Sequence, residues 1–326
     1  MCGLLSSCAI HWHNINTIRL PSLYIAMHTR DKNQSNHNAP EKRLSYIDGR
    51  FTQTNTIDNQ ILDMYGTFPI GSITKIFTVV MLLILHRHKR LDVRDNLAKY
   101  IESANHKNNK HFNQITILDV INHTSGLASM PPNKQTIYTV HQNIRENART
   151  FVDSDIFVHP YGSDNYSNIG YILLGLIIEK ASGTRYDRAY KKNIFGPLGM
   201  TSTNRKKPSI SLYSDGCAKM RAREKRFRLW GASAGGLCSC VADLVRFAEG
   251  GLGLLDSHTT RILRDQIYMG HMNSPRGDIG HSGKIFGAHT RFYFTHNGDE
   301  LTTIYIDFAT CVGIRKDINA YYRATV

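Results

Sequence analysis

Ser72 and Lys75 stand three residues apart in Gly71-Ser72-Ile73-Thr74-Lys75, at the mouth of the most apolar stretch of the chain. Residues i and i+3 share a helix face, so a serine hydroxyl and a lysine amine at this spacing can meet. A serine hydroxyl attacks poorly unless a neighbouring base takes its proton. A lysine can be that base where burial or other cations keep it neutral part of the time. A helix N-terminus adds free backbone N–H groups and a positive dipole end, which favour negative charge developing on a substrate carbonyl. The same four residues would also suit an ordinary helix start, with Ser72 as the cap and Lys75 as a surface charge.

Two further clusters carry residue types that fit this chemistry. Tyr166-Ser167-Asn168 is the chain's only Tyr-x-Asn. It supplies a phenol for proton transfer and an amide that both donates and accepts. His281-Ser282-Gly283 follows Gly280 and precedes a strand-like run, where its glycine would let a substrate lie close against strand backbone. A second His-x-Gly, His296-Asn297-Gly298, is explained by turn geometry alone, because Asn-Gly is a hairpin signal. Chemistry is therefore assigned to the first.

The elements needed to position these groups are legible in outline. Thr74–His88 is apolar nearly all round and ends in cations, as a buried helix does. A helix is expected over Ile115–Asn122, opened by a capping-box-like Thr116…Asp119 pair. Others are expected over Tyr171–Ala181, closed by Gly183, and over Ala242–Gly250. Strands are expected at Ser22–Met27 and Arg43–Ile47, joined by a polar loop over 28–43, and at Gly287–Phe294 and Leu301–Phe308. A helical middle between strand-rich ends makes an α+β fold, with a helical lobe inserted into a sheet built from both termini. The expected division is an N-terminal extension over 1–19, a sheet-containing lobe from 20–70 plus 205–326, and a mostly helical lobe over 71–204.

The order Ser-x-x-Lys, Tyr-x-Asn, His-x-Gly resembles the serine beta-lactamase and DD-peptidase superfamily, in its class C beta-lactamase, D-alanyl-D-alanine carboxypeptidase and esterase branch. Tyr166 follows Ser72 by 94 residues and His281 follows Tyr166 by 115, which suits a helical lobe between the first two motifs. Supporting stretches are Phe68–Thr78, Leu91–Tyr100, the NHTSGL turn at Asn122–Leu127, Tyr166–Gly183, Phe195–Met200 and Ala234–Phe247. The resemblance covers roughly residues 20 to 310. It implies a beta-lactamase/transpeptidase-like fold, an antiparallel sheet flanked by helices, and no metal or other cofactor. It also implies acylation of Ser72, with Lys75 and Tyr166 sharing the general-base work. Asn168 would hold the substrate amide, and His281, Ser282 and Gly283 would line the site, with His281 where beta-lactamases commonly have lysine. The backbone N–H groups of Ser72 and Lys284 would form the oxyanion hole. Implied substrates are D-Ala-D-Ala peptides, beta-lactams or esters. The alternative is a catalytically idle relative that binds cell-wall fragments or a protein partner. Departures from the family are a short, basic 203–233 stretch, an extra residue in Pro160–Asn165, and a curtailed C-terminal helix after Asp317.

Composition bounds these readings. The 326 residues are 41% hydrophobic and 20% charged, within the globular range. Lys+Arg number 40 against 26 acidic residues, a net +14 that invites an anionic partner or carboxylate-bearing substrate. The basic residues lie in short clusters, Arg87–Arg90, Arg205–Lys207 and Arg221–Arg228, without a nucleic-acid fold signature, so no nucleic acid is expected. The longest apolar run, Ile76–Leu85, spans ten residues where a bilayer needs about 20, so no transmembrane segment is expected. Six cysteines at low density allow one disulfide, and neither they nor the sixteen histidines show metal-ligand spacing. Leu5-Ser6-Ser7-Cys8 has the form of a lipoprotein cleavage box with only four residues before it. Family members are often periplasmic or secreted, but the sequence assigns no compartment.

Overall fold

The computed structural model describes residues 22–29, 44–47, 50–53, 65–131, 144–206, 209, 231–267, 279–285, 288–297 and 300–310. Readings that fall on 1–19, most of the 28–43 loop, Arg221–Arg228 and the chain after Asp317 lie outside these residues, as do Cys2, Cys8, Cys217 and Cys311.

A six-stranded sheet carries both ends of the described chain. Its strands are β1 (Ser22–Thr29), β2 (Leu44–Ile47), β3 (Arg50–Gln53), β6 (Ile279–Ile285), β7 (Ala288–Asn297) and β8 (Glu300–Thr310), in the order β3-β2-β1-β8-β7-β6. Four neighbouring pairs are antiparallel, and β1 runs parallel to β8 with Leu23 opposite Ile304. That parallel pair is the exception in an otherwise antiparallel sheet. It joins strands from opposite ends of the chain, so no tight turn imposes a direction on it. Opposite partners Asn297 and Glu300 leave a two-residue connection at the expected hairpin. Phe292, Phe294, Ile304 and Ile306 alternate inward from β7 and β8 into the core.

The helices are α1 (Thr74–Arg87), α2 (His106–Phe112), α3 (Ile117–Ile121), α4 (Ile144–Val152), α5 (Asn168–Ser182), α6 (Tyr186–Tyr190), α7 (Val241–Gly250) and α8 (Ser257–Gln266). α1 buries every residue from Thr74 to Leu85, as its all-round apolar pattern predicts. α3 opens with the expected capping box, in which Thr116 and Asp119 exchange side-chain and backbone bonds. α5 starts at Asn168, three residues before the expected Tyr171, because the Ser167 hydroxyl caps it by accepting from Gly170 N–H at 2.9 Å. It ends at Gly183, whose φ of 72° closes the helix. Its first turn thus displays Asn168 inward.

α1 packs on α5 in the helical part and reaches β6 of the sheet. Between them, a two-stranded ribbon pairs β4 (Phe68–Pro69) with β5 (Cys238–Ser239). Ile70 N–H donates to Leu237 O at 3.1 Å, and Leu237 N–H donates to Thr74 Oγ1 at 3.2 Å. Thr78 Oγ1 binds Ser233 O at 2.6 Å and Tyr190 Oη at 2.7 Å, tying the helical turn over 231–235 to α1. The basic cluster at Arg87–Arg90 is exposed, and two of its members also tie helix ends to neighbours: Arg87 Nη1 donates to Leu254 O and Arg90 Nε to Ala181 O.

β6 lies backbone to backbone on the turn that carries Ser72. A Cβ added at Gly283 would fall 1.9 Å from Ile70 O. We expect Gly283→Ala to force β6 off this turn and lower stability by about 1–3 kcal/mol, read as a reduced urea midpoint. A midpoint equal to wild type would mean that the two backbones are not held this closely.

Candidate active site

Ser72 sits in a single 3-10 turn, Gly71–Ile73, directly before α1. Gly71 takes a φ of 50°, a conformation other residues adopt at a cost, and an added Cβ there would meet Lys284 N at 3.0 Å. The N–H bearing backbone of Lys284 is therefore adjacent to that of Ser72. Ser72 makes no capping bond, and Lys75 is fully buried, so the reading of an ordinary helix start fails.

The Lys75 amine reaches three oxygens. Nζ lies 2.8 Å from Asn168 Oδ1, 2.7 Å from Ala234 O and 3.2 Å from Ser72 Oγ. The first two are acceptors, and with both filled the third contact joins Nζ to the Ser72 hydroxyl. Burial disfavours the charged form and holds this amine well below the usual lysine range. Nζ also lies 4.8 Å from the centre of the Tyr166 ring and 5.2 Å from that of Tyr171.

Tyr166 Oη is 2.8 Å from Ser72 Oγ. Tyr166 as a whole keeps 36% of its surface exposed, while its hydroxyl meets Ser72. Burial of that end pushes the phenol up to about 12, a rise the Ser72 hydrogen bond only partly offsets. Near neutral pH the phenol is protonated and donates to Ser72. Asn168, with Oδ1 taken by Lys75, directs Nδ2 to Met130 Sδ at 3.8 Å. A thioether is a weak acceptor, so a substrate carbonyl can replace it at Nδ2.

His281 is 6% exposed on β6, with its ring centre 6.2 Å from that of Tyr166. Its Nδ1 lies 2.6 Å from Ser282 O, and because a carbonyl only accepts, Nδ1 carries a hydrogen there. Gly283 is buried, Ser282 half-buried and Lys284 exposed. Ser72, Lys75, Tyr166, Asn168 and His281 thus converge, and the Lys284 N–H joins them through Gly71. The competing His296 instead bonds Ala248 O at 2.8 Å on α7.

Three contributors escaped sequence reasoning. The Ala234 carbonyl and the Met130 sulfur left no sequence signal, because their roles depend on where the fold puts them. His123 stood in the noted NHTSGL turn without a role; it is buried against the Tyr166 ring at 4.4 Å between centres. Among the described residues no cluster of His, Cys, Asp or Glu could hold a metal, Cys238 and Cys240 are buried free thiols, and no helix is long and apolar enough to cross a membrane.

A beta-lactamase/transpeptidase-like fold with a serine, a buried lysine and a tyrosine gathered at one helix start defines the class of this molecule. The chain belongs to the beta-lactamase family, whose model matches residues 66–321. Among curated proteins it is similar to Protein flp of Staphylococcus aureus (strain MRSA252), 24% identical over 240 residues, which are 72% of this chain and 46% of that protein. It is also similar to Penicillin-binding protein 4* of Bacillus subtilis (strain 168), 32% identical over 144 residues, 42% of this chain and 30% of that one. The chain spans about half the length, or less, of these relatives. Among solved structures, the D-amino acid amidase of Ochrobactrum anthropi SV3 superposes with a TM-score of 0.63 at 18% identity, covering 84% of this chain and 91% of that one. A D-stereospecific amidohydrolase from Streptomyces sp. superposes with a TM-score of 0.58 at 23% identity, covering 78% and 86%. These two likenesses are of fold.

The depressed amine has a thermodynamic signature. Lys75 titrates lower in the folded chain than in the unfolded one, where lysine lies near 10.4, so unfolding takes up a proton between those values. The stability it contributes is complete above the unfolded value and is lost as pH falls through the folded one. Between the two, wild-type stability should rise with pH more steeply than that of Lys75→Met, by about 1.4 kcal/mol per pH unit. Urea unfolding of both proteins at stepped pH measures this, and parallel profiles would show that the amine is not depressed.

Proposed function

We propose that this protein is a serine hydrolase that works through an acyl-enzyme on Ser72. The observation that carries the reading is the Ser72 hydroxyl shared between the buried Lys75 amine at 3.2 Å and the Tyr166 phenol at 2.8 Å. Neutral Lys75 takes the Ser72 proton as Oγ attacks the substrate carbonyl. The N–H groups of Ser72 and Lys284 receive the developing oxyanion, each donor being worth about 2.7–4 kcal/mol in comparable sites. Tyr166, still protonated, gives its proton to the leaving group and regains one from the lysinium. Water then enters by the same steps in reverse, restoring Ser72. The burial-raised phenol and burial-lowered amine divide what would otherwise be shared base work: Lys75 is the base and Tyr166 the acid.

The proposed substrates are amides and esters, D-Ala-D-Ala-type peptides included. The amidase and amidohydrolase of like fold act, by their names, on D-configured compounds, and Asn168 Nδ2 is available for a substrate carbonyl. His281 in place of lysine, together with the net positive charge, suits substrates bearing a carboxylate and weighs against an efficient beta-lactamase.

Intact-mass spectrometry after incubation with an activated ester and, separately, a beta-lactam tests the reading. Wild type should gain the acyl mass, and Ser72→Ala should not. Lys75→Ala should slow acylation by about 10²–10⁴-fold, the usual worth of a positioned base. The acylation rate should rise with pH as Lys75 loses its proton, and the Tyr166 phenol should not limit it until about pH 12. A wild type left unmodified by every acyl donor would favour the idle, fragment-binding reading.

A further inference from the structure

His123 is buried and takes a φ of 64°, a left-handed conformation that non-glycine residues adopt at a cost. It touches three consecutive residues around the phenol. Asn165 N–H donates to His123 O at 2.9 Å, and Ser167 N–H donates to His123 Nδ1 at 3.0 Å. Between them, the Tyr166 ring lies on the imidazole at 4.4 Å with a 38° tilt, and Tyr171 flanks the imidazole at 5.2 Å. His123 is itself anchored at the end of α3, where its N–H donates to Val120 O at 3.2 Å.

The imidazole is not simply a packing ring. With Nδ1 accepting a backbone N–H, the hydrogen of a neutral ring resides on Nε2, which is buried without a partner among the described residues. A buried donor left unpaired costs about 1–3 kcal/mol. Phenylalanine would stack equally well without that cost, so what histidine adds is the Nδ1 acceptor. The ring is neutral at working pH, since burial above all pushes it down to about 2.

We propose that His123 is a positioning residue, a clamp that sets the Tyr166 hydroxyl over Ser72 by holding the backbone on either side of it. Its kinetic consequences rest on the acyl-enzyme reading above; its effect on the Tyr166 ring does not.

The test uses His123→Phe, which keeps the ring and loses the acceptor, and His123→Asn, which keeps an acceptor at the same branch point and tolerates positive φ. Each is made alone and with Tyr166→Phe. His123→Phe should slow Ser72 acylation by an activated ester about 10–100-fold at an unchanged half-saturating concentration, the scale of a 1 Å misplacement. His123→Asn should stay within about fivefold of wild type, and adding His123→Phe to Tyr166→Phe should change the rate by less than about twofold, because both act through one group. Equal loss in the Phe and Asn variants, or additive loss in the double variant, would overturn the proposal and leave His123 a packing residue. In parallel, the Tyr166 ring carbon resonance is assigned in 13C-tyrosine protein by its absence in Tyr166→Phe. It should move in His123→Phe and return in His123→Asn. If wild type takes no acyl group, the acyl-enzyme reading falls alone and this resonance decides: an unmoved signal in His123→Phe refutes the clamp. Should His123→Phe fail to fold, the Asn variant decides alone, a rate within fivefold and an unmoved resonance supporting the clamp and a larger loss refuting it.

Discussion

A fully buried amine must find oxygen for each N–H bond, and at Lys75 those oxygens come from distant parts of the chain. Asn168 Oδ1 is offered by the first turn of α5, and Ala234 O by the turn over 231–235. The remaining direction is toward Ser72, in the 3-10 turn that leads into the same helix. An unpaired buried charge would be far costlier than an unpaired neutral amine, so burial both lowers the proton affinity of Lys75 and dictates where its neighbours stand. The entry of α5, the tie between Thr78 and Ser233, and the β4–β5 ribbon all bring an acceptor or a wall to this amine.

The sheet serves the same centre from the opposite side. Gly283 and Gly71 are small because backbone meets backbone there, and that approach brings a strand N–H beside the Ser72 turn. Thr290 of β7 reinforces the joint, its hydroxyl donating to Pro69 O at 3.1 Å. The site thus occupies the seam between helices and sheet, with the helical side supplying the proposed base, acid and amide and the strand side the proposed oxyanion donor and His281. Burial acts in opposite senses on the two titrating groups, because it always disfavours charge: it lowers the amine and raises the phenol.

Much of this was legible beforehand for identifiable reasons. α1 and α5 announce themselves because nearly every residue in them is apolar, and the Thr116–Asp119 box and the Gly183 cap mark ends by local chemistry alone. α4 and α8 were missed because their apolar stripes are narrow. α4 buries Ile144, Ala148, Phe151 and Val152 amid charged residues, and α8 buries little besides Ile262 and Leu263. α2, of sequence HKNNKHF, has almost no intrinsic signal; its Asn105 cap and the buried Asn108, which donates to Val152 O at 2.7 Å, form it through neighbours.

Residue types and spacing alone determined the Ser-x-x-Lys pairing on one helix face, the candidate tyrosine and asparagine, the choice of His281 over His296, and the α+β class. Those follow from periodicity and from what each side chain can donate or accept. Tertiary structure decided which way burial shifts Lys75 and Tyr166, because dielectric and hydrogen-bond partners are properties of a place and not of a residue. It also decided that a carbonyl at Ala234 meets Lys75, a sulfur at Met130 meets Asn168 and an imidazole at His123 meets Tyr166, since backbone oxygens carry no sequence mark and long-range proximity appears only once the chain is folded.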